Sequence, residues 1–346
     1  MSDTTTEHGG HGHGEAVYPY TPHHFFGAKQ HFESGKLGVW LFLVTEILFF
    51  AGLFCAYTIY RAQHPEVFYW AHFYLDTFWG AVNTIVLILS SFTAAWAVRN
   101  AQLGQTTLLR INIVITIACA CVFMCVKYVE YSHKFHDGLL PARHFAPVHE
   151  VWESEHFVHK HPAAAKAAAR IVAGIEARTA AGGKTALDTV QPRDGALALV
   201  PVSEGHAAEH GADAAATDPE VLAAAKAATE SKLADDVWLE SEVKKLTPEE
   251  RRPLEMAGVI RKPADGPIAF ARPAKAGIFF SIYFFMTGLH GIHVAVGIGL
   301  WIWMLTISMR RKFGDTYFGP IDFTALYWHL VDLIWIYLFP MLYLIH

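Results

Sequence analysis

Cysteine is scarce in this 346-residue chain, four residues in all. None of them stands in a Cys-x-x-Cys spacing, and Cys55, Cys119, Cys121 and Cys125 all fall within apolar segments. That excludes a disulfide framework as the organising device and reads them as small core hydrophobes. A strong charge of either sign is also missing, since 27 Lys and Arg stand against 32 Asp and Glu for a net charge of −5. No nucleic-acid partner is expected from that balance. Residues 1–36 are polar and histidine-rich and lack the basic segment and apolar core of a cleavable leader. The first spanning helix is therefore expected to act as its own insertion signal.

Apolar surface is what the chain has in quantity. Hydrophobic residues make up 53%, yet charged residues still reach 17%, which describes a membrane part joined to a polar part. Five runs are long enough to cross a hydrocarbon core of about 30 Å, which needs about 20 residues. They are Leu37 to Tyr60, Phe78 to Val98, Leu109 to Tyr131, Gly277 to Met309 and Phe323 to Ile345. The expected fold is an all-α integral membrane protein. Its five transmembrane helices form a bundle, with a largely helical or disordered extramembrane insertion. Four regions follow: a polar tail and interfacial segment over 1–36, helices one to three over 37–140, an alanine-rich insertion over 141–276, and helices four and five over 277–346. Trp40, Trp79, Trp96 and Trp301 fall near the proposed ends, where indole rings suit the headgroup region. Gly291, Ala295 and Gly299 recur every four residues, a spacing that lets two helices approach closely.

Basic residues set the orientation. Lys29, Lys36, Arg99, Arg110, Arg310, Arg311 and Lys312 would share one side, against Arg61 in the short loop opposite. This puts the amino terminus in the cytoplasm and the carboxyl terminus and the insertion outside. Lys127, Lys134, Arg272 and Lys275 flank the insertion and dilute the bias. Inside the insertion, Asp218-Pro219-Glu220 and Thr247-Pro248-Glu249-Glu250 read as helix starts. Helices are expected around Ala163 to Ala181, Pro219 to Leu246 and Pro248 to Ala257, loosely docked rather than built around a core of their own.

Ionisable residues within the spans carry the chemistry. Glu46 lies in the first, Glu130 near the outer end of the third, His290 and His293 one turn apart in the fourth, and His329 with Asp332 in the fifth. A charged group at the bilayer centre costs roughly 2.5 to 3.5 kcal/mol on insertion scales, so these residues should face protein, bound lipid headgroup or water. His329 and Asp332, three apart, share one helix face. The set is open to three readings: interhelical bridges or lipid contacts, a proton path, or a metal site in which His290, His293 and His329 are helped by Glu46. The histidines at positions 8, 11 and 13 read as a flexible tail or a weak chelator.

Five motifs, in order, resemble subunit III of the haem-copper oxidases: Leu43-Val44-Thr45-Glu46-Ile47-Leu48-Phe49-Phe50-Ala51-Gly52, Val82-Asn83-Thr84, Tyr128-Val129-Glu130-Tyr131, Thr287-Gly288-Leu289-His290-Gly291-Ile292-His293 and Tyr327-Trp328-His329-Leu330-Val331-Asp332. The chain is similar to a five-helix form of that family. The resemblance implies an accessory subunit without a redox centre. Haem and copper belong to partner subunits, subunit I is the direct partner, and subunit II sits in the same complex. It further implies bound phospholipid in a cleft and support for proton uptake and sustained oxygen reduction in an energy-transducing membrane such as a bacterial inner membrane. By motif, Glu46, Glu130, His290, His293, His329 and Asp332 correspond to the family's buried polar positions. Arg310 and Lys312 stand where basic residues meet lipid phosphate, with Trp40, His23 and His24 as further lipid contacts. Thr45-Glu46 resembles the cytochrome c oxidase branch, while quinol oxidases and nitric oxide reductase accessory proteins remain alternatives. Two departures stand out: Tyr317-Phe318-Gly319 where some relatives have histidines, and an insertion between Gly138 and Gly277 in place of a short loop, which is free to contact a cytochrome or another subunit.

Overall fold

The computed structural model describes residues 28–141, 145–182, 234–262, 267–273, 275–310, 313–314 and 317–345. Five helices in it are long and apolar enough to cross a membrane. The spans are Ala28–Gln63, Thr77–Gln102, Thr106–His136, Ala276–Arg310 and Gly319–Tyr343. Each of the first four outruns its apolar run at one or both ends, because polar residues continue the helix where water or interface receives them. The fifth starts earlier than its apolar run, at Gly319-Pro320, where proline costs no helical hydrogen bond.

The residues divide into two compact units, each taking part of every span. One comprises Met1–Gly52, Asn83–Cys125 and His290–Ile336, and the other Leu53–Val82, Val126–Leu289 and Tyr337–His346.

In the first unit the spans interlock through side chains small enough, or polar enough, to allow close approach. Gly297 carries the tightest contact: a Cβ there would lie 2.5 Å from the Trp328 ring. Gly291 and Gly299 have nothing within 4 Å of the same position. The four-residue stripe is therefore not the packing face in this chain; the bulk of Trp328 selects Gly297 instead. Trp328 also donates to Ser90 Oγ at 3.1 Å, Trp335 to Thr84 Oγ1 at 3.1 Å, and Thr93 bonds Thr116 at 2.7 Å. Trp301 is fully buried rather than set at an interface, while Trp40, Trp79 and Trp96 are about half exposed as expected. Cys55, Cys121 and Cys125 are exposed and Cys119 half-buried, all four free. They line outward helix faces rather than a core.

The second unit holds the described part of the insertion. His64-Pro65-Glu66 starts a short helix, Pro65–Ala71, that the hydropathy pattern does not mark. Its Phe68 meets Tyr57 and Phe279 edge-on at 5.1 and 5.2 Å. Beyond the third span the chain reverses at Gly138, whose φ of +71 and a Cβ that would lie 1.9 Å from the Ala146 carbonyl oxygen both demand glycine. The insertion then forms helices Glu155–Lys160, Pro162–Gly182, 234–245 and Pro248–Met256. Thr247 and Glu250 close a capping box at the start of the last of these. The Asp218-Pro219-Glu220 start lies outside the described residues. A two-stranded antiparallel ribbon follows, pairing Ile260 with Phe270 and Arg261 with Ala269. Phe157, Ile171, Val243, Leu254 and Val259 are buried in this segment. Alanine and a few large side chains thus give it more of a core than its composition promises.

Candidate functional site

In the first unit, Glu46 and His293 come together across spans one and four, with Oε2 and Nε2 3.0 Å apart. The phenol of Tyr327 on span five donates to the His293 carbonyl at 3.0 Å, and the Phe50 ring stands edge-on to the imidazole at 5.3 Å. Three spans are fastened at one histidine. Beside this pair opens an apolar cleft of about 620 Å³, with Val39, Phe42, Val296, Trp303, Phe323 and Tyr327 among its walls. Its walls are mostly apolar, with His293 and Thr324 among the polar residues that line it.

His329 does not pair with Asp332 directly. Its Nδ1 bonds Ser91 Oγ on span two at 2.7 Å, and the same hydroxyl lies within hydrogen-bonding reach of Asp332. The Asp332 side chain is almost wholly buried, and its Oδ1 has no partner among the described residues. A serine therefore joins the two residues that helix spacing alone set side by side. His290 is fully buried between aromatic rings, with Phe123 edge-on at 5.7 Å and Trp335 at 5.2 Å. Asn83, from the second motif, is fully buried with both amide atoms unpartnered among the described residues.

At the end of span four, the Arg110 guanidinium donates to the Ser308 carbonyl through Nη2 at 2.6 Å and Nε at 3.2 Å. Arg110 thereby caps a helix terminus where carbonyls lack partners. Arg310 is exposed on the same helix end, and Trp40 is exposed on span one. Lys312, His23 and His24 lie outside the described residues.

In the second unit, Glu130 is the hub of a charged cluster. It accepts from Lys127 at 2.7 Å, Lys134 at 2.8 Å, the Tyr283 hydroxyl at 2.8 Å and the Tyr343 hydroxyl at 2.6 Å. The Lys127 ammonium also sits over the rings of Tyr131, Tyr283 and Tyr343 at 5.3 to 5.6 Å. The Lys-x-x-Glu-x-x-x-Lys spacing puts all three charges on one helix face and is legible in the sequence. Both lysines read there as topology markers, whereas the structure buries them as partners of Glu130. Nothing local marks the two tyrosines, which arrive from spans four and five.

Outside the spans, Glu150 and Arg272 face each other at 3.8 Å. Burial pushes the Glu150 carboxyl above its usual range, and Glu153 adds to that while Arg272 opposes it. Burial also raises the Tyr74 phenol, which donates to the His149 carbonyl at 2.9 Å.

Among the described residues, no group of three or more His, Cys, Asp and Glu side chains is gathered in a way that would hold a metal ion. His290, His293 and His329 go to three different surroundings, and of these histidines Glu46 bonds His293. What the site does chemically is to tie helices through neutral and charged hydrogen bonds beside a hydrocarbon-lined cleft.

Residues 270–346 match the family described as Cytochrome c oxidase subunit III. The chain is also similar to proteins named "Probable quinol oxidase subunit 3" from Staphylococcus aureus (strain USA300) and Staphylococcus epidermidis (strain ATCC 35984). Each is 39% identical over 70 residues, which is 20% of this chain and 34% of the relative. The chain thus spans about a third of the length of the curated relatives it matches.

Proposed function

From a carboxyl-terminal part that belongs to the subunit III family of the haem-copper oxidases, we propose that this chain is the accessory subunit III of a respiratory terminal oxidase. The family match over residues 270–346 carries the reading. The five candidate membrane spans support it. In this role the chain packs against the catalytic subunit, with subunit II in the same complex and haem and copper in those partners. It braces the assembly and supports proton uptake and sustained turnover. The amino terminus lies in the cytoplasm and the insertion outside, where it meets a cytochrome or another subunit.

The cleft beside Glu46 and His293 takes a phospholipid chain in this proposal. Its walls are apolar, and exposed Arg310 on span four offers a cation to a phosphate. The Glu46 carboxyl is held by His293 at the margin of that cleft, so neither group faces the acyl chains without a hydrogen bond.

Two observations point to different electron donors. Thr45-Glu46 favours the cytochrome c branch by motif, whereas the similar staphylococcal proteins bear quinol oxidase names and favour a quinol donor. Purification of the chain in mild detergent, with haem spectroscopy and mass identification of what accompanies it, tests the class. Oxygen uptake by the same preparation with reduced cytochrome c or with a quinol then separates the branches. A purified chain accompanied by no haem-copper subunit refutes the accessory role.

A further inference from the structure

The described part of the insertion carries a cleft of its own, away from the spans. In the second unit, the end of helix Glu155–Lys160, the start of Pro162–Gly182 and the start of Pro248–Met256 enclose about 480 Å³. Lys160, His161, Glu249 and Arg252 line it, with proline and alanine between them. Pro162 and Pro248 fix φ at the first position of both longer helices, so the mouth is held by stiff backbone.

The charge of this cleft is unanswered. Elsewhere in the insertion Arg170, Arg178, Lys244, Lys245 and Arg251 each stand 2.5 to 3.9 Å from a carboxylate. Lys160 and Arg252, both exposed, have no such partner among the described residues, and Glu249 at the same mouth pairs with neither. The other acids of the last helix are engaged elsewhere, Glu250 in the Thr247 capping box and beside Arg170, Glu255 with Arg251. Two cations therefore face one carboxylate across an open space. His161 is half-buried, with Tyr69 Oη 3.5 Å from its Nε2. Burial and the Lys160 ammonium hold its imidazole below the ordinary range, so at neutral pH it adds a hydrogen-bonding edge and no charge.

An anion with several acceptor oxygens suits such walls, since a guanidinium offers parallel N–H donors and an ammonium a point charge. A cation would meet two like charges. The volume lies within the range of small-molecule sites and leaves room for an organic body behind the oxyanion. We infer that this cleft binds the phosphate group of a small molecule or of a lipid headgroup, held by Arg252 and Lys160 with His161 beside them. The site lies outside residues 270–346, so it stands or falls independently of the accessory-subunit reading.

The test is hydrogen exchange over residues 160–165 and 248–254 of the full chain, purified in phosphate-free detergent. Inorganic phosphate is titrated in, with sodium chloride at equal ionic strength as the reference. Saturable slowing by phosphate and not by chloride is expected. Lys160→Met together with Arg252→Met should raise the half-saturating concentration about tenfold, the size of two exposed charge interactions. Glu249→Gln removes the repelling carboxylate and should lower it about two- to fivefold, a gain that misfolding cannot produce. A second arm places the chain in nanodiscs of phosphatidylcholine, with or without phosphatidylglycerol, and no added phosphate. Slowing there that requires the anionic lipid and is lost in the double variant supports the site with a headgroup as its source, whereas slowing by inorganic phosphate alone supports it with a soluble source. Equal slowing by chloride, slowing that the double variant leaves unchanged, or no slowing in either arm overturns the inference.

Discussion

Replacing Glu130 by Leu is the perturbation whose size the structure fixes best. Glu130 answers two buried ammoniums at 2.7 and 2.8 Å and two phenols at 2.8 and 2.6 Å. Its side chain and those of Lys127 and Lys134 are each 8% exposed or less, so solvent cannot take over the charges. Each charge-assisted bond is worth about 1.5 to 3 kcal/mol net, but summing four would double count a shared acceptor. The controlling quantity is the cost of stranding a buried partner, about 3 to 5 kcal/mol. Glu130→Leu is therefore expected to destabilise the purified protein by roughly that much, read as loss of helical signal in a denaturant titration in detergent. Glu130→Gln keeps an acceptor but strands the same two lysines, so it should fall close behind. The triple change with Lys127→Met and Lys134→Met removes the stranded charges and should recover most of the loss, because buried ion pairs replaced by packed apolar groups are often near neutral. A shift below about 0.5 kcal/mol for Glu130→Leu, the range of ordinary surface substitutions, would refute the argument.

Other consequences are smaller or more local. Gly297→Val should cost about 1 to 3 kcal/mol by overpacking against Trp328, whereas Gly291→Ala, with open space around it, should stay within about 0.5 kcal/mol in the same titration. Thr247→Ala removes one half of a capping box and should cost about 0.5 to 2 kcal/mol, seen as faster proteolysis in the insertion. Glu150 has a carboxyl raised in the folded state, so its contribution is fully present below the ordinary carboxylate range and is lost as pH rises through the raised value. Hydrogen exchange around residues 150–153 should accordingly slow in Glu150→Gln relative to the unchanged protein at neutral pH, with the difference vanishing in acid; a difference that grows in acid would reverse the sign. His293→Leu leaves Glu46 without its partner at the cleft, so bound phospholipid measured after detergent exchange should fall, while Glu46→Gln, which can still bond His293, should retain more of it.

The five spans were legible because nothing but a membrane helix accounts for apolar runs of that length, and composition alone carries that signal. Their ends were less so, for a reason visible at the third span. Tyr131 closes its apolar run, yet the helix continues to His136, because Lys134 turns back to Glu130 and is drawn under cover with it. A lysine near a helix end carries two meanings in sequence, a topology marker or a buried counter-ion, and only a carboxylate at the right spacing separates them. The buried polar set divides along the same line. Pairs within one helix were open to periodicity, as Lys127 with Glu130 shows. Links between helices were not: Ser91 is an ordinary residue of an apolar run until His329 and Asp332 are seen to share it, and Tyr343 until its hydroxyl meets Glu130. The Gly297 contact obeys the same rule, since a four-residue glycine period names a face that allows close approach, while the neighbour that exploits closeness, Trp328, lies more than thirty residues on. Motif resemblance names positions without naming their neighbours. The physical content of each position, who donates and who is left facing the membrane, came only with the neighbours.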